Sequence, residues 1–204
     1  MSVYSQFAGT AGGSFVAPNA PFPGYVANYW YPPAIPFYMM DQMRQATVDR
    51  LYTLPFVAQD THTFTGLSVQ QTSTTTGNVR LGIYNSTGGV PSSLLRDFGV
   101  VSFPASTGIR TGTGGAPAAV VKGGLYFLVA VFDTTIMQYV GMSDNDSAMN
   151  HPYYSNFGIV STATTLNVGN SGYYVSQTYG ALPDPYPAGT KTYDGNVPFL
   201  CLRG

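Results

Sequence analysis

Leu125-Tyr126-Phe127-Leu128-Val129-Ala130-Val131-Phe132 is apolar at every position, opens after Gly123-Gly124 and closes at Asp133. A run this short, rich in β-branched and aromatic side chains and bounded by turn residues, reads as a strand apolar on both faces. That is the character of a central strand in a β-sandwich. Upstream, the period is two. Tyr52, Leu54 and Phe56 alternate with their neighbours, and the pattern resumes after Gln59-Asp60-Thr61-His62 with Thr65, Leu67 and Val69. Val79, Leu81 and Ile83 face one way, while Asn78, Arg80 and Tyr84 face the other. Asn85-Ser86-Thr87-Gly88-Gly89-Val90-Pro91 has the chemistry of a turn. Leu94 to Phe103, Ile109 to Thr113 and Val197 to Leu202 supply further short strands, with Pro198 confined to an edge or outside the ladder. Strands and turn signals at this spacing predict an all-β fold, a jelly-roll-like antiparallel β-sandwich.

The chain has 204 residues and one cysteine, Cys201, so its core must form without an internal disulfide. Only 8% of its residues are charged, against about 25% in an ordinary globular protein. Glycine (24), proline (15) and tyrosine (16) make up much of the difference. Such a surface, polar but uncharged, suits a protein packed against neighbours rather than a free monomer. A net charge of −1 with no basic stripe argues against nucleic-acid binding. No stretch approaches the roughly 18 apolar residues of a membrane span, so no membrane insertion is expected. The opening Met-Ser-Val-Tyr-Ser-Gln lacks a signal-peptide pattern, and the expectation is synthesis in a cytoplasm.

Residues 1–49 read differently from 50–204. Between Ala17 and Tyr38 stand Pro18, Pro21, Pro23, Pro32, Pro33 and Pro36, which remove backbone donors and disfavour a helix or a central strand. The same run is rich in rings, which a disordered linker would lack. It predicts an extended arm that buries rings against the body or another subunit, and Phe22, Tyr25, Tyr29, Trp30 and Tyr31 are its candidate docking residues. Met39, Met43 and Ala46, with Asp41 near the start, have helical spacing and predict at most a short helix. From Arg50 the sandwich domain follows.

The stretch from Arg50 to Asp133 carries an ordered set of segments. They are Arg50-Leu51-Tyr52-Thr53-Leu54-Pro55-Phe56, Val79-Arg80-Leu81-Gly82-Ile83-Tyr84-Asn85 and Gly88-Gly89-Val90-Pro91-Ser92-Ser93-Leu94. Gly99-Val100-Val101-Ser102, Ser106-Thr107-Gly108 and Gly123-Gly124-Leu125-Tyr126-Phe127-Leu128-Val129-Ala130 complete it, and Asn28-Tyr29-Trp30-Tyr31-Pro32-Pro33 precedes it. In this order the set resembles a sandwich domain recurring in bacteriophage tail-fibre and other virion proteins. The resemblance implies a jelly-roll-like sandwich exposed on a virion, commonly oligomeric and often a homotrimer. It fades beyond Asp133.

No catalytic constellation is visible. His62 and His151 lie in loop-like sequence, there is no glutamate, and turn capping accounts for most aspartates. Asp144-Asn145-Asp146 lacks the glycine and terminal glutamate of a calcium loop, and Gly112-Thr113-Gly114-Gly115 lacks the lysine of a phosphate cradle. Cys201, between two leucines, reads as a small buried hydrophobe. The expectation is a protein that is not an enzyme and has no metal and no cofactor. Tyrosines among small polar residues in the last third fit a contact surface, and Tyr153, Tyr154, Tyr173, Tyr174 and Tyr179 are candidates for receptor or subunit contact. The competing account is that these rings cover the sandwich or seal subunit contacts.

Together these readings predict a virion structural protein of tail-fibre or attachment type. Its partners would be other virion proteins and host surface glycan, held by many weak sites at once. The alternatives are a capsid decoration or head-fibre protein that stabilises the head, and a secreted carbohydrate-binding module.

Overall fold

A computed structural model describes residues 24–32, 42–135, 138–141, 172–194 and 197–204. Among these there is no helix. The strands are β1 (Trp30–Tyr31), β2 (Gln42–Gln45), β3 (Arg50–Val57), β4 (His62–Phe64), β5 (Gly66–Gln71), β6 (Gly77–Thr87) and β7 (Val90–Phe103). They continue with β8 (Gly108–Gly112), β9 (Ala118–Val120), β10 (Leu125–Phe132), β11 (Gln138–Gly141), β12 (Gly172–Ser176), β13 (Thr192–Asp194) and β14 (Leu200–Arg203).

Two six-stranded antiparallel sheets form a sandwich. The first has the order β13-β12-β3-β10-β6-β7, so the Leu125–Phe132 run lies at its centre between β3 and β6. The second is built on β5. Gln71 pairs with both Gly108 and Tyr139, which places β8 and β11 on opposite edges of β5. β14 takes the rest of the β11 side of β5, with β1 beyond it, and β2 lies beyond β11. A separate ribbon pairs β4 with β9 and sends Phe64, Ala118 and Val120 into the core.

The period of two decides what each face buries. Tyr52, Leu54 and Phe56 from β3, Val79, Leu81 and Ile83 from β6, and Leu128, Ala130 and Phe132 from β10 point between the sheets. Leu67, Val69, Leu200 and Leu202 meet them from the second sheet. One buried polar group, Gln71, is fully engaged. Its amide donates to the carbonyls of Ser73, Thr75 and Pro104 and its oxygen accepts from Arg110, so it costs little to bury.

The outer face of the first sheet is also buried, and this explains why β10 is apolar on both sides. Leu51, Tyr84, Phe127, Val129, Val131, Tyr173 and Val175 form a second cluster there with Leu182 and Tyr186. The last two belong to the strandless segment 177–191, which lies across the sheet as a cover. Four hydrogen bonds fasten it to the strands of this sheet. Tyr84 donates to the Pro183 carbonyl at 2.6 Å, Thr53 and Tyr186 share a hydroxyl bond at 2.6 Å, the Tyr186 N–H reaches Ser92 O at 2.7 Å, and the Leu94 N–H reaches Asp184 at 3.0 Å. Gly82 makes room for this cover: a Cβ there would stand 2.2 Å from Leu182 Cδ1. The glycine of the Leu-Gly-Ile-Tyr segment is therefore a seat for Leu182.

The turn read at Asn85 to Pro91 is tighter than its sequence implies. β6 continues to Thr87 and β7 begins at Val90, leaving Gly88 and Gly89 at φ of 61° and 81°. Two successive positive values are what a two-residue hairpin of matching twist needs, and glycine adopts them without strain.

Of the helix expected from Met39, Met43 and Ala46, Met39 and Asp41 lie outside the described residues, and Gln42–Gln45 is instead a strand, paired with β11 from Gln138↔Gln45 to Gly141↔Gln42. Ladder hydrogen bonds to a sheet outweigh the weak preference of a few residues for a helix. Residues 30–31 and 42–45, placed with the arm by sequence, thus belong to the second sheet.

Candidate functional site

The two sheets treat their outer faces differently. The first is sealed by the chain's own 177–191 segment. The outer face of the second sheet carries Trp30 and Ile109, 37% and 53% exposed, over a floor where Ser68 is only 3% exposed. Register fixes which residues stand there. Leu67, Val69, Leu200 and Leu202 face the core, so their neighbours Ser68, Gln70, Cys201 and Arg203 face out. Trp30 pairs with Arg203, and Thr111 and Ile109 pair with Ser68 and Gln70, so all three join the same face. Trp30, Phe199 and Ile109 enclose a cleft of about 120 Å³ over Ser68, Gln70 and Cys201. Arg203 is its charged flank: the guanidinium carbon lies 5.8 Å from the Trp30 ring centre and Nη2 donates to Asn28 at 2.9 Å. Burial pushes the Cys201 thiol up to about 12.

The docking residues expected in the arm separate into two kinds. Tyr25 and Tyr31 point inward and plug the body. Tyr25 packs edge-on to Tyr31 at 4.7 Å and to Phe64 at 4.8 Å, and its hydroxyl accepts from the Gln59 N–H at 2.9 Å. That burial raises the Tyr25 pKa. The Tyr31 hydroxyl accepts from the Val26 N–H, closing the turn. With those two rings anchored, Tyr29 and Trp30 are 64% and 37% exposed; Trp30 shares the cleft with Ile109, and the Tyr29 N–H donates to the Val26 carbonyl. Phe22 lies outside the described residues.

The five tyrosines expected at a contact surface separate as well. Tyr153 and Tyr154 lie outside the described residues. Tyr173 is 1% exposed within the sealed cluster, under the Lys191 ammonium, and so takes no direct part in surface contact. Tyr179 packs against the same cluster, and desolvation followed by the Asp133 charge raises its pKa. Tyr174 points to the opposite side of β12, half-buried, with the Arg50 guanidinium 4.1 Å above its ring. For Tyr173 and Tyr179, covering the sandwich is the role the packing gives.

Beside Tyr174 and Arg50 is a second opening, which the sequence reading missed. Val48, Asp49, Arg50, Ser176, Gln177 and Thr178 line an open groove of about 500 Å³. Asp49 has φ of 60° and is held from across the groove: its carbonyl accepts from the Gln177 N–H and its Oδ1 from the Tyr179 N–H, each at 2.9 Å. Sequence showed Asp49 only as a turn former next to a strand. The partner loop lies more than a hundred residues away, with no motif linking the two.

The remaining chemistry-bearing groups have structural tasks. Asp97 pairs with Arg80 at 2.8 Å and accepts from the Gly99 N–H, Asp133 holds Asn78, and Asp60 accepts from the Thr61 N–H. His62 packs against Tyr25 and Phe64 with ring centres 5.1 and 4.9 Å away. His151, Asp144 and Asp146 lie outside the described residues. Among the described residues no group of histidine, cysteine, aspartate or glutamate has the makings of a metal site, and no helix is long and apolar enough to cross a membrane.

The architecture defines the class: an all-β protein, an antiparallel sandwich with one outer face sealed by its own chain and one that bears the exposed Trp30. Compared with known protein families and with characterised proteins, the chain matches none. Its function is therefore argued from these surfaces.

Proposed function

We propose that the chain is a bacteriophage virion structural protein of tail-fibre or attachment type, acting by binding and not by catalysis. One observation carries the reading: the chain seals one outer face with its own 177–191 segment and leaves rings exposed around Trp30 on the other. An exposed tryptophan beside Ile109, with an exposed tyrosine next to it in the chain, offers surface whose burial on a partner is favourable. The partner proposed is another virion protein, with Tyr29 and Trp30 as anchors. Tyr25 and Tyr31 hold those anchors in place, so little conformational entropy is lost on docking. Assembly as a homotrimer would present three copies of every outward surface, and avidity would raise weak contacts with host glycan to useful strength.

The test is incorporation. Particles assembled with a Tyr29→Ala, Trp30→Ala double variant should lose the protein, while the purified variant keeps its melting temperature and its trimer mass. Full incorporation of the variant contradicts the docking role. A capsid decoration protein would use the same anchors on the head, and the site of attachment on the particle separates the two readings.

A further inference from the structure

We infer that the Asp49–Arg50 groove is a saccharide site that takes a neutral pyranose through a pair of adjacent hydroxyls. The inference deepens the attachment reading by naming the surface and the ligand chemistry. Three features converge on it. The first is a fixed acceptor. The Asp49 carboxylate is exposed and lines the groove, and with its Oδ1 taken by the Tyr179 N–H at 2.9 Å its Oδ2 is left to accept from a ligand. The second is a fixed donor. The Arg50 guanidinium carbon stands 4.1 Å from the Tyr174 ring centre, and the one ion pair among the described residues joins Arg80 to Asp97, so Arg50 has no carboxylate of its own. A guanidinium held by its face keeps its N–H edge free for hydrogen bonding. The third is the open groove of about 500 Å³ that both residues line, together with Val48, Ser176, Gln177 and Thr178.

Charge selects the ligand class. One carboxylate and one guanidinium cancel, so the groove offers little to a polyanion and repels a strong acid at Asp49. An acceptor and a forked donor side by side complement two neighbouring hydroxyls, each of which donates and accepts. The loops that supply the pair are clamped by the Gln177 N–H to Asp49 O bond at 2.9 Å, so the site exists before the ligand arrives.

The experiment is saturation-transfer NMR on the full chain with methyl glucoside, methyl galactoside and methyl mannoside, paired with binding of the labelled protein to cells that the particle infects. Wild-type protein should transfer saturation to at least one glycoside. Asp49→Asn keeps an oxygen for the Tyr179 N–H but loses the charge, and should weaken binding about tenfold. Arg50→Lys keeps the charge but loses the fork, and should weaken it similarly. Transfer that is absent for every glycoside, or unchanged in Asp49→Asn and Arg50→Lys with the fold intact, overturns the groove. Cell binding that persists in those variants also overturns it but leaves the attachment reading standing. Saccharide binding that depends on Asp49, with no wild-type binding to cells, keeps the groove and removes the attachment reading.

Discussion

Replacing Leu182 by alanine tests whether segment 177–191 is a cover or merely a loop. The side chain is 6% exposed over the outer face of the first sheet, where it packs among Tyr84, Val129 and Tyr186. Truncating a buried leucine costs about 2–5 kcal/mol, and a cover at the surface can settle, so a loss of about 2–3 kcal/mol is expected. Gly82→Ala approaches the same contact from the other side. Its new Cβ would lie 2.2 Å from Leu182 Cδ1 and 3.0 Å from the Arg96 carbonyl, so Leu182 must leave its seat. Overpacking of this kind costs about 2 kcal/mol. Once Leu182 is alanine, the tightest clash is gone. The residual contact with Arg96 is then offset by about 0.5–1 kcal/mol from relieving a glycine inside a strand. The double variant should therefore be about as stable as Leu182→Ala alone, a coupling of about 2 kcal/mol. Urea unfolding followed by circular dichroism, at one fixed protein concentration, reads all four corners of the cycle. Additivity within about 0.5 kcal/mol would refute the seat-and-cover account.

Three further outcomes follow from the same packing. Tyr186→Phe leaves the Thr53 hydroxyl buried without its 2.6 Å partner and should cost about 1–2 kcal/mol in the same unfolding assay. Burial pushes Tyr84 far up and Tyr186 up to about 12, and Cys201 from 9.0 to about 12, so the native state keeps protons that the unfolded chain gives up. A raised folded pKa means that this stability is present in full below about pH 9 and is lost as pH climbs toward 12, which pH-dependent urea midpoints will read. At pH 8 the native Cys201 thiol should react with a disulfide reagent about a thousandfold more slowly than the same thiol in urea, since only the thiolate attacks. Equal rates in the two conditions would contradict its burial.

Much of the sandwich was legible because its strands alternate. Tyr52, Leu54 and Phe56, or Val79, Leu81 and Ile83, announce a buried face by spacing alone, and Leu125 to Phe132 announces two. What covers the second face was not legible. Leu182 and Tyr186 stand in Gly-Ala-Leu-Pro-Asp-Pro-Tyr-Pro, which has no period, and only the fold brings them to Tyr84 and Thr53. Gln42–Gln45 became a strand because β11 offered it a ladder, a long-range fact that local spacing does not carry. Composition grouped Tyr173 with Tyr174, but adjacent strand residues face opposite sides, so one entered the core and the other met Arg50. That signal was present in the alternation and would have divided the pair. The Asp49–Arg50 groove had none, because its two walls are joined across the fold by a backbone bond from Gln177 and a bond from the Tyr179 N–H to the Asp49 carboxylate, neither of which has a sequence signature.

The most direct test of the attachment reading is immunogold electron microscopy of intact phage particles with an antibody raised against this chain. Gold at the tail or its fibres is the predicted result. Gold spread over the head would make it a decoration protein with the same anchors, and particles free of gold would contradict the virion assignment altogether.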